Sequence, residues 1–214
     1  MKYKIILFFL LAMTVFSSCN KHDIRQDDQY VGISKITYYV VLTLKGESIA
    51  SVVQGDSYTD PGATATSNGA DVTYTTDGTV DTNTPGLYVI TYSAVNADGF
   101  ASSISRTVVV IPAHENAGVD ISGSYDYIGS STFTSTIAKV AEGVYTTDNV
   151  WSGGTVIPAI LVCLDGTNIT IPTQATAYGV MDGSGLLNAT GKLVYTVSIP
   201  SQGIIESHRN WQKQ

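Results

Sequence analysis

Cysteine is nearly missing from this sequence: Cys19 and Cys163 are the two in 214 residues. A framework of several disulfides is excluded, so buried apolar surface has to hold the fold. Histidine is scarce as well, with three, and charged residues make up only 14%. Basic residues are the rarer sign. Setting aside Lys2 and Lys4 leaves 9 of the 11 basic residues against 18 acidic ones. No basic patch remains, which excludes nucleic acid as a natural partner. Docking on anionic lipid by charge alone is disfavoured for the same reason. Catalytic signatures are missing too. There is no Gly-x-Ser-x-Gly elbow, no His-Glu-x-x-His and no P-loop. Glu142 and Glu206 are acids of the type glycosidases use, but nothing in the sequence pairs them. The expectation is a protein without catalysis, cofactor or metal.

What is present is β-prone sequence broken by turns. Hydrophobic residues reach 43%, with 20 Gly and 13 Tyr. That content is too apolar for a disordered chain and suits an all-β fold.

The first residues, 1–18, read as an export leader. Lys2 and Lys4 precede the apolar run Ile5 to Ala12, which is too short to span a bilayer stably. The leader ends at Phe16-Ser17-Ser18-Cys19, which resembles a bacterial lipobox, with Phe where Leu is commonest. The resemblance implies acylation of Cys19, hence outer-membrane lipid as a partner. The alternative is an ordinary cleaved signal with a chance cysteine. Each buried methylene contributes roughly 0.8 kcal/mol, so two or more acyl chains anchor stably. Residues 19–32 are polar and aperiodic and read as a tether, in which His22 is solvated. Its early acidic residues resemble surface-export signals of Bacteroidota lipoproteins, which implies an anchor facing the cell exterior.

Residues 33–112 alternate short strands with turns. Ile36, Tyr38, Val40, Leu42 and Leu44 share one strand face. Further strands are expected over 48–53, 58–65, 71–74, 87–95 and 103–111. Turn chemistry at Asp60-Pro61-Gly62, Asn68-Gly69 and Asp98-Gly99 separates them. About seven strands at this spacing suggest an Ig-like sandwich. Asp56, Asp60, Asp71, Asp77, Asp81 and Asp98 match no EF-hand loop and read as turn residues. The phrases Tyr58-x-Asp60-Pro-Gly, Gly78-Thr-Val-Asp-Thr82, Thr84-Pro-Gly-x-Tyr88-x-Ile-x-Tyr92 and Arg106-Thr-Val-x-Val110 resemble the bacterial Ig-like repeats of exported and surface proteins. Tyr88 falls at a tyrosine-corner position, with its hydroxyl expected on backbone a few residues upstream.

Residues 113–119 read as a linker containing a solvated His114. Residues 120–214 then read as an antiparallel β-meander of eight or so strands, either a barrel or a sandwich. The run 156–164 is almost wholly apolar, so burial on both faces is expected, with Cys163 an inert buried thiol. Trp211 is expected in the core. The phrases Ile121-Ser-Gly-x-Tyr125, Ala138–Tyr145, Thr190-Gly-Lys-x-Val-Tyr195 and Trp211-x-Lys213 resemble the C-terminal domain of a Bacteroidota surface-lipoprotein family. That resemblance implies company with the outer-membrane importers of starch-utilisation-type systems, with glycan and importer proteins as partners. Sugar rings stack on flat aromatics. Trp151 in its Gly-rich loop is the candidate platform, with Tyr145 and Tyr178 beside it and Asp148 and Asn149 as hydrogen-bonding partners. The competing expectation is a structural or adhesive module that contacts protein, in which Trp151 only closes one end of the barrel.

Overall fold

The computed structural model describes residues 30–31, 34–129 and 133–214. The leader, Cys19 and the first eleven tether residues, 19–29, lie outside the described residues. The described residues fall into two units, those up to residue 38 and residues 39–214. In the first, β1 (Tyr30–Val31) pairs with β2 (Ser34–Lys35) as a short antiparallel hairpin.

The second unit contains two all-β bodies. One is an Ig-like sandwich. A three-stranded sheet joins β3 (Val41–Leu44), β5 (Ala63–Ser67) and β6 (Ala70–Asp71). A four-stranded sheet runs in the order β4 (Ile49–Val53), β9 (Ala101–Ile111), β8 (Gly86–Val95), β7 (Thr75–Asp77). Period-two alternation drives the packing. Ile90 and Tyr92 of β8 and Val108 and Val110 of β9 point inward and meet Val52 and Ala63.

Three expected strands differ in the structure. The strand expected to carry Ile36 to Leu44 begins only at Val41, and 36–40 are not strand. Residues 58–62 are not strand, because Asp60 bends inward there to reach Arg106. The expected strand 71–74 is two strand ends, β6 and β7, which belong to different sheets. Residues 72–74 carry the chain from one sheet to the other, and Val72 packs on Val40, Ala65 and Ala94. Asp60 is likewise more than a turn residue. Its carboxylate receives Tyr92 Oη at 2.6 Å and forms an ion pair with Arg106, whose side chain is 1% exposed. Arg106 also donates to the carbonyls of Lys45 and Glu47. Burial works against the Asp60 carboxylate, but bonds from Tyr92, the Gly62 N–H and Arg106 outweigh it and hold its pKa low. Burial and the bond to Asp60 push Tyr92 up to about 12.

The other body is a closed antiparallel barrel of eight strands. These are β10 (Gly123–Tyr127), β11 (Thr134–Ala141), β12 (Val144–Thr147), β13 (Ala159–Cys163), β14 (Asn168–Thr176), β15 (Gly179–Leu187), β16 (Lys192–Ile199) and β17 (Ile204–Lys213). Pairing of β10 with β17 closes the ring, so no barrel edge is left for another chain. A single strand over 175–181, as its β-prone residues suggest, is not formed: 175–176 end β14, Ala177-Tyr178 turn, and 179–181 begin β15. Side chains fill the interior: Tyr125, Tyr145, Tyr195, Met181 and Trp211 are all buried. Gly185 makes room for the Tyr195 ring, since a Cβ there would lie 2.9 Å from it. Trp211 meets Tyr127 edge-on at 5.2 Å. Cys163 is a buried thiol whose pKa burial pushes up, as the sequence indicates.

The bodies share an apolar seam. Val109 and Ile111 of β9, on the face away from the Ig-like core, pack with Val144 and Val162 of the barrel. Ile49, Val53 and Leu87 flank them on one side, and Ile160 and Leu164 on the other. This explains why β13 is apolar throughout: Leu161 and Cys163 face the barrel interior, while Val162 faces the seam.

Residues 113–119 are not a free linker. Glu115, its side chain 8% exposed, accepts Lys139 Nζ at 2.6 Å. It also takes the Tyr145 hydroxyl at 2.7 Å, and Asn116 N donates to Leu164 O at 2.8 Å. His114, expected to be merely solvated, lies 2.9 Å from Glu142 Oε1 at the surface.

Candidate ligand-binding cleft

The Gly-rich loop between β12 and β13 is organised by Asn149, which is 3% exposed. Its Oδ1 accepts the N–H groups of Trp151 and Ile157, and its Nδ2 donates to Ser152 O. An amide spent on its own loop is not presented to a ligand. Asp148 Oδ1 accepts the Thr136 N–H at 2.8 Å. Trp151 packs against the barrel core, and the Arg209 guanidinium lies 3.6 Å from its ring centroid. A stacked guanidinium occupies the face a sugar would need. Tyr145 is buried inside the barrel, with its hydroxyl on Glu115. Burial, then that bond, raises its pKa. Tyr178 is 40% exposed at the tip of the β14–β15 turn, beside Val156 and Pro158. The structure therefore does not gather Trp151, Tyr145, Tyr178, Asp148 and Asn149 into one groove.

A larger concavity lies beside the seam. It is a cleft of about 740 Å³ with one wall from each body. The Ig-like wall is the start of β8, Pro85 to Tyr88, with Val110 and Pro112. The barrel wall includes Leu164, Asp165, Asn168, Thr170, Pro172, Thr173 and Asp182. Strand alternation accounts for the second wall. Ile169 and Ile171 point into the barrel, which sends Asn168 and Thr170 outward. Met181 points in, which sends Asp182 out.

Local hydrogen bonds fix both walls. The Tyr88 hydroxyl donates to Thr84 O at 2.8 Å, the corner expected from the sequence. Asp81 accepts the Thr84 hydroxyl at 2.8 Å and the Asn83 N–H at 3.0 Å. On the barrel side, Asp165 accepts the Asn168 side chain at 2.6 Å and the N–H groups of Asn168 and Thr167. Those bonds, led by the Asn168 side chain, hold the Asp165 carboxyl below its usual range. Gln174 follows an irregularity in the β14–β15 ladder and ties β14 back to β13. It accepts from Ile160 N and donates to Ile160 O, which extends the β13–β14 contact beyond the paired Val162 and Thr170.

The sequence reading missed this cleft. Its polar pieces look like ordinary turn and strand residues, and nothing in the sequence brings them to the Tyr88 corner.

Comparison with known proteins defines the class of the first body. Residues 42–110 match the family model described as the bacterial surface protein Ig-like domain, roughly a third of the chain. The fold is thus all-β, an Ig-like domain similar over residues 42–110 to those of bacterial surface proteins, followed by an eight-stranded barrel. No curated protein matches it. Among solved structures, a lipoprotein from Bacteroides thetaiotaomicron is 25% identical, covering 82% of this chain and 100% of that one. Its TM-score of 0.41 is too loose an overlap to transfer anything.

Proposed function

We propose that this chain is a non-catalytic cell-surface lipoprotein, anchored through Cys19, that binds glycan in the cleft between its two bodies. In this reading it serves an outer-membrane polysaccharide uptake system and faces the cell exterior. The observation that carries the glycan reading is the make-up of the cleft. Hydroxyls of Thr170 and Thr173 and the carboxylates of Asp165 and Asp182 stand across from Pro85, Leu87 and Tyr88. Sugars present the complementary mixture of polar edges and apolar ring faces. The volume lies within the range of small-ligand sites. The Ig-like body is then one wall of the site as well as a spacer.

The second reading is a structural or adhesive module that contacts protein. It draws on the Arg209-covered face of Trp151 and on the exposed Tyr39–Phe100 ring pair, 5.5 Å apart.

The test is oligosaccharide binding by the full chain in detergent. Thr170→Arg, which puts a long side chain on the outward face of β14, is expected to weaken binding at least about tenfold, or roughly 1.4 kcal/mol. Trp151→Ala is expected to leave binding unchanged. Binding lost with Trp151→Ala and kept with Thr170→Arg returns the site to the barrel end. No binding to any sugar leaves the adhesive reading.

A further inference from the structure

The cleft also has a charge pattern, and resting on the glycan reading we infer that it selects uncharged sugars and rejects acidic ones. None of its lining residues is Lys, Arg or His, and two, Asp165 and Asp182, are carboxylates. Asp165 is a fixed negative charge, because Asn168 and Thr167 donate three hydrogen bonds to it. Those donors are spent on the turn, so they cannot be turned towards a ligand anion. Asp182 is exposed on the adjacent strand. The whole chain adds to this field, with a formal net charge of −7.

A uronic acid or sulfate entering the cleft meets two like charges and no counter-charge. A neutral hexose meets the same carboxylates as hydrogen-bond acceptors for its hydroxyls, and these bonds are stronger for being charge-assisted. The same groups thus bind one class of sugar and exclude the other, which is how repulsion contributes to specificity. The cleft is open to water, so the discrimination is moderate and sensitive to salt.

The test compares neutral gluco- and manno-oligosaccharides with an oligogalacturonate of equal length. The protein is the full chain in detergent, titrated at low and at high salt. Neutral sugars are expected to bind at least about tenfold more tightly at low salt, a ratio that shrinks as salt screens the carboxylates. Asp182→Asn is expected to narrow the ratio about threefold at low salt, since removing one like charge relieves part of the repulsion. Asp165→Asn, which keeps an amide oxygen for its turn, is expected to narrow it similarly. Equal or tighter binding of the oligogalacturonate overturns the inference and leaves the glycan reading standing. So does a ratio that neither substitution changes. Failure of every sugar to bind a folded chain overturns the glycan reading, and this inference with it.

Discussion

Asp60→Ala is expected to cost the fold about 3 kcal/mol, read as a drop in the urea or guanidinium midpoint. The reason is the guanidinium it leaves behind. Arg106 is 1% exposed and cannot move to water without dragging β9 out of the sandwich. Removing one member of a buried pair leaves a desolvated charge, which costs far more than the pair itself is worth. The estimate sits at the low end of the usual range because partners remain. Arg106 keeps the carbonyls of Lys45 and Glu47 and contacts the Tyr92 hydroxyl at 3.2 Å. Arg106→Met, which removes the charge and keeps much of the volume, is expected to cost less than Asp60→Ala. The reverse order contradicts the assignment.

The same pair sets a pH dependence. The folded Asp60 carboxyl is held below its unfolded value, with burial opposing and the Tyr92, Gly62 and Arg106 bonds prevailing. The unfolded chain therefore takes up its proton first as pH falls. The pair's contribution is fully present above the unfolded value of about 3.9 and is lost as pH drops through the folded one. Asp60→Asn is expected to flatten that part of the stability profile. A variant whose acid limb matches the native chain removes Asp60 from the explanation.

Val162→Asp is expected to cost about 3–4 kcal/mol and to split unfolding into two transitions. Val162 lies in the seam with Val109, Ile111 and Val144. A carboxylate there has no cation in the apolar cluster to pair with. The native chain is expected to unfold residues 39–214 together, because the seam couples the two bodies. With the seam broken, the barrel and the sandwich lose that shared apolar surface and melt separately. Calorimetry distinguishes the cases. Two transitions already present in the native chain, or one retained in the variant, argue against coupling through the seam. An exposed outward position such as Thr170→Asp is the control, with little expected effect on stability.

How much was legible follows from the range of each interaction. The Tyr88 corner was readable because the bond spans four residues, so the motif contains both partners. Burial on both faces holds for 159–163 of the expected 156–164 and was readable from the apolar run, although what covers the outer face was not; Val156, 60% exposed, departs from the expectation. The Asp60–Arg106 pair was not readable. Its members are 46 residues apart, and Asp60 sits in a Pro-Gly bend where a turn role is the default. Trp151 looked like a platform because Gly-rich loops often expose their aromatics. The stacked Arg209 comes from the last strand, where nothing in the sequence pointed at the loop. The cleft was hidden for the same reason: its walls come from β8 and from β14 and β15, joined only when the seam forms.

The cleft as the ligand site is most directly tested by hydrogen exchange of the full chain, with and without a bound neutral oligosaccharide. The account predicts slowed exchange in residues 85–88 of the Ig-like body and 165–173 of the barrel together, in one step of added sugar. Slowing confined to residues 148–154, around Trp151, contradicts it.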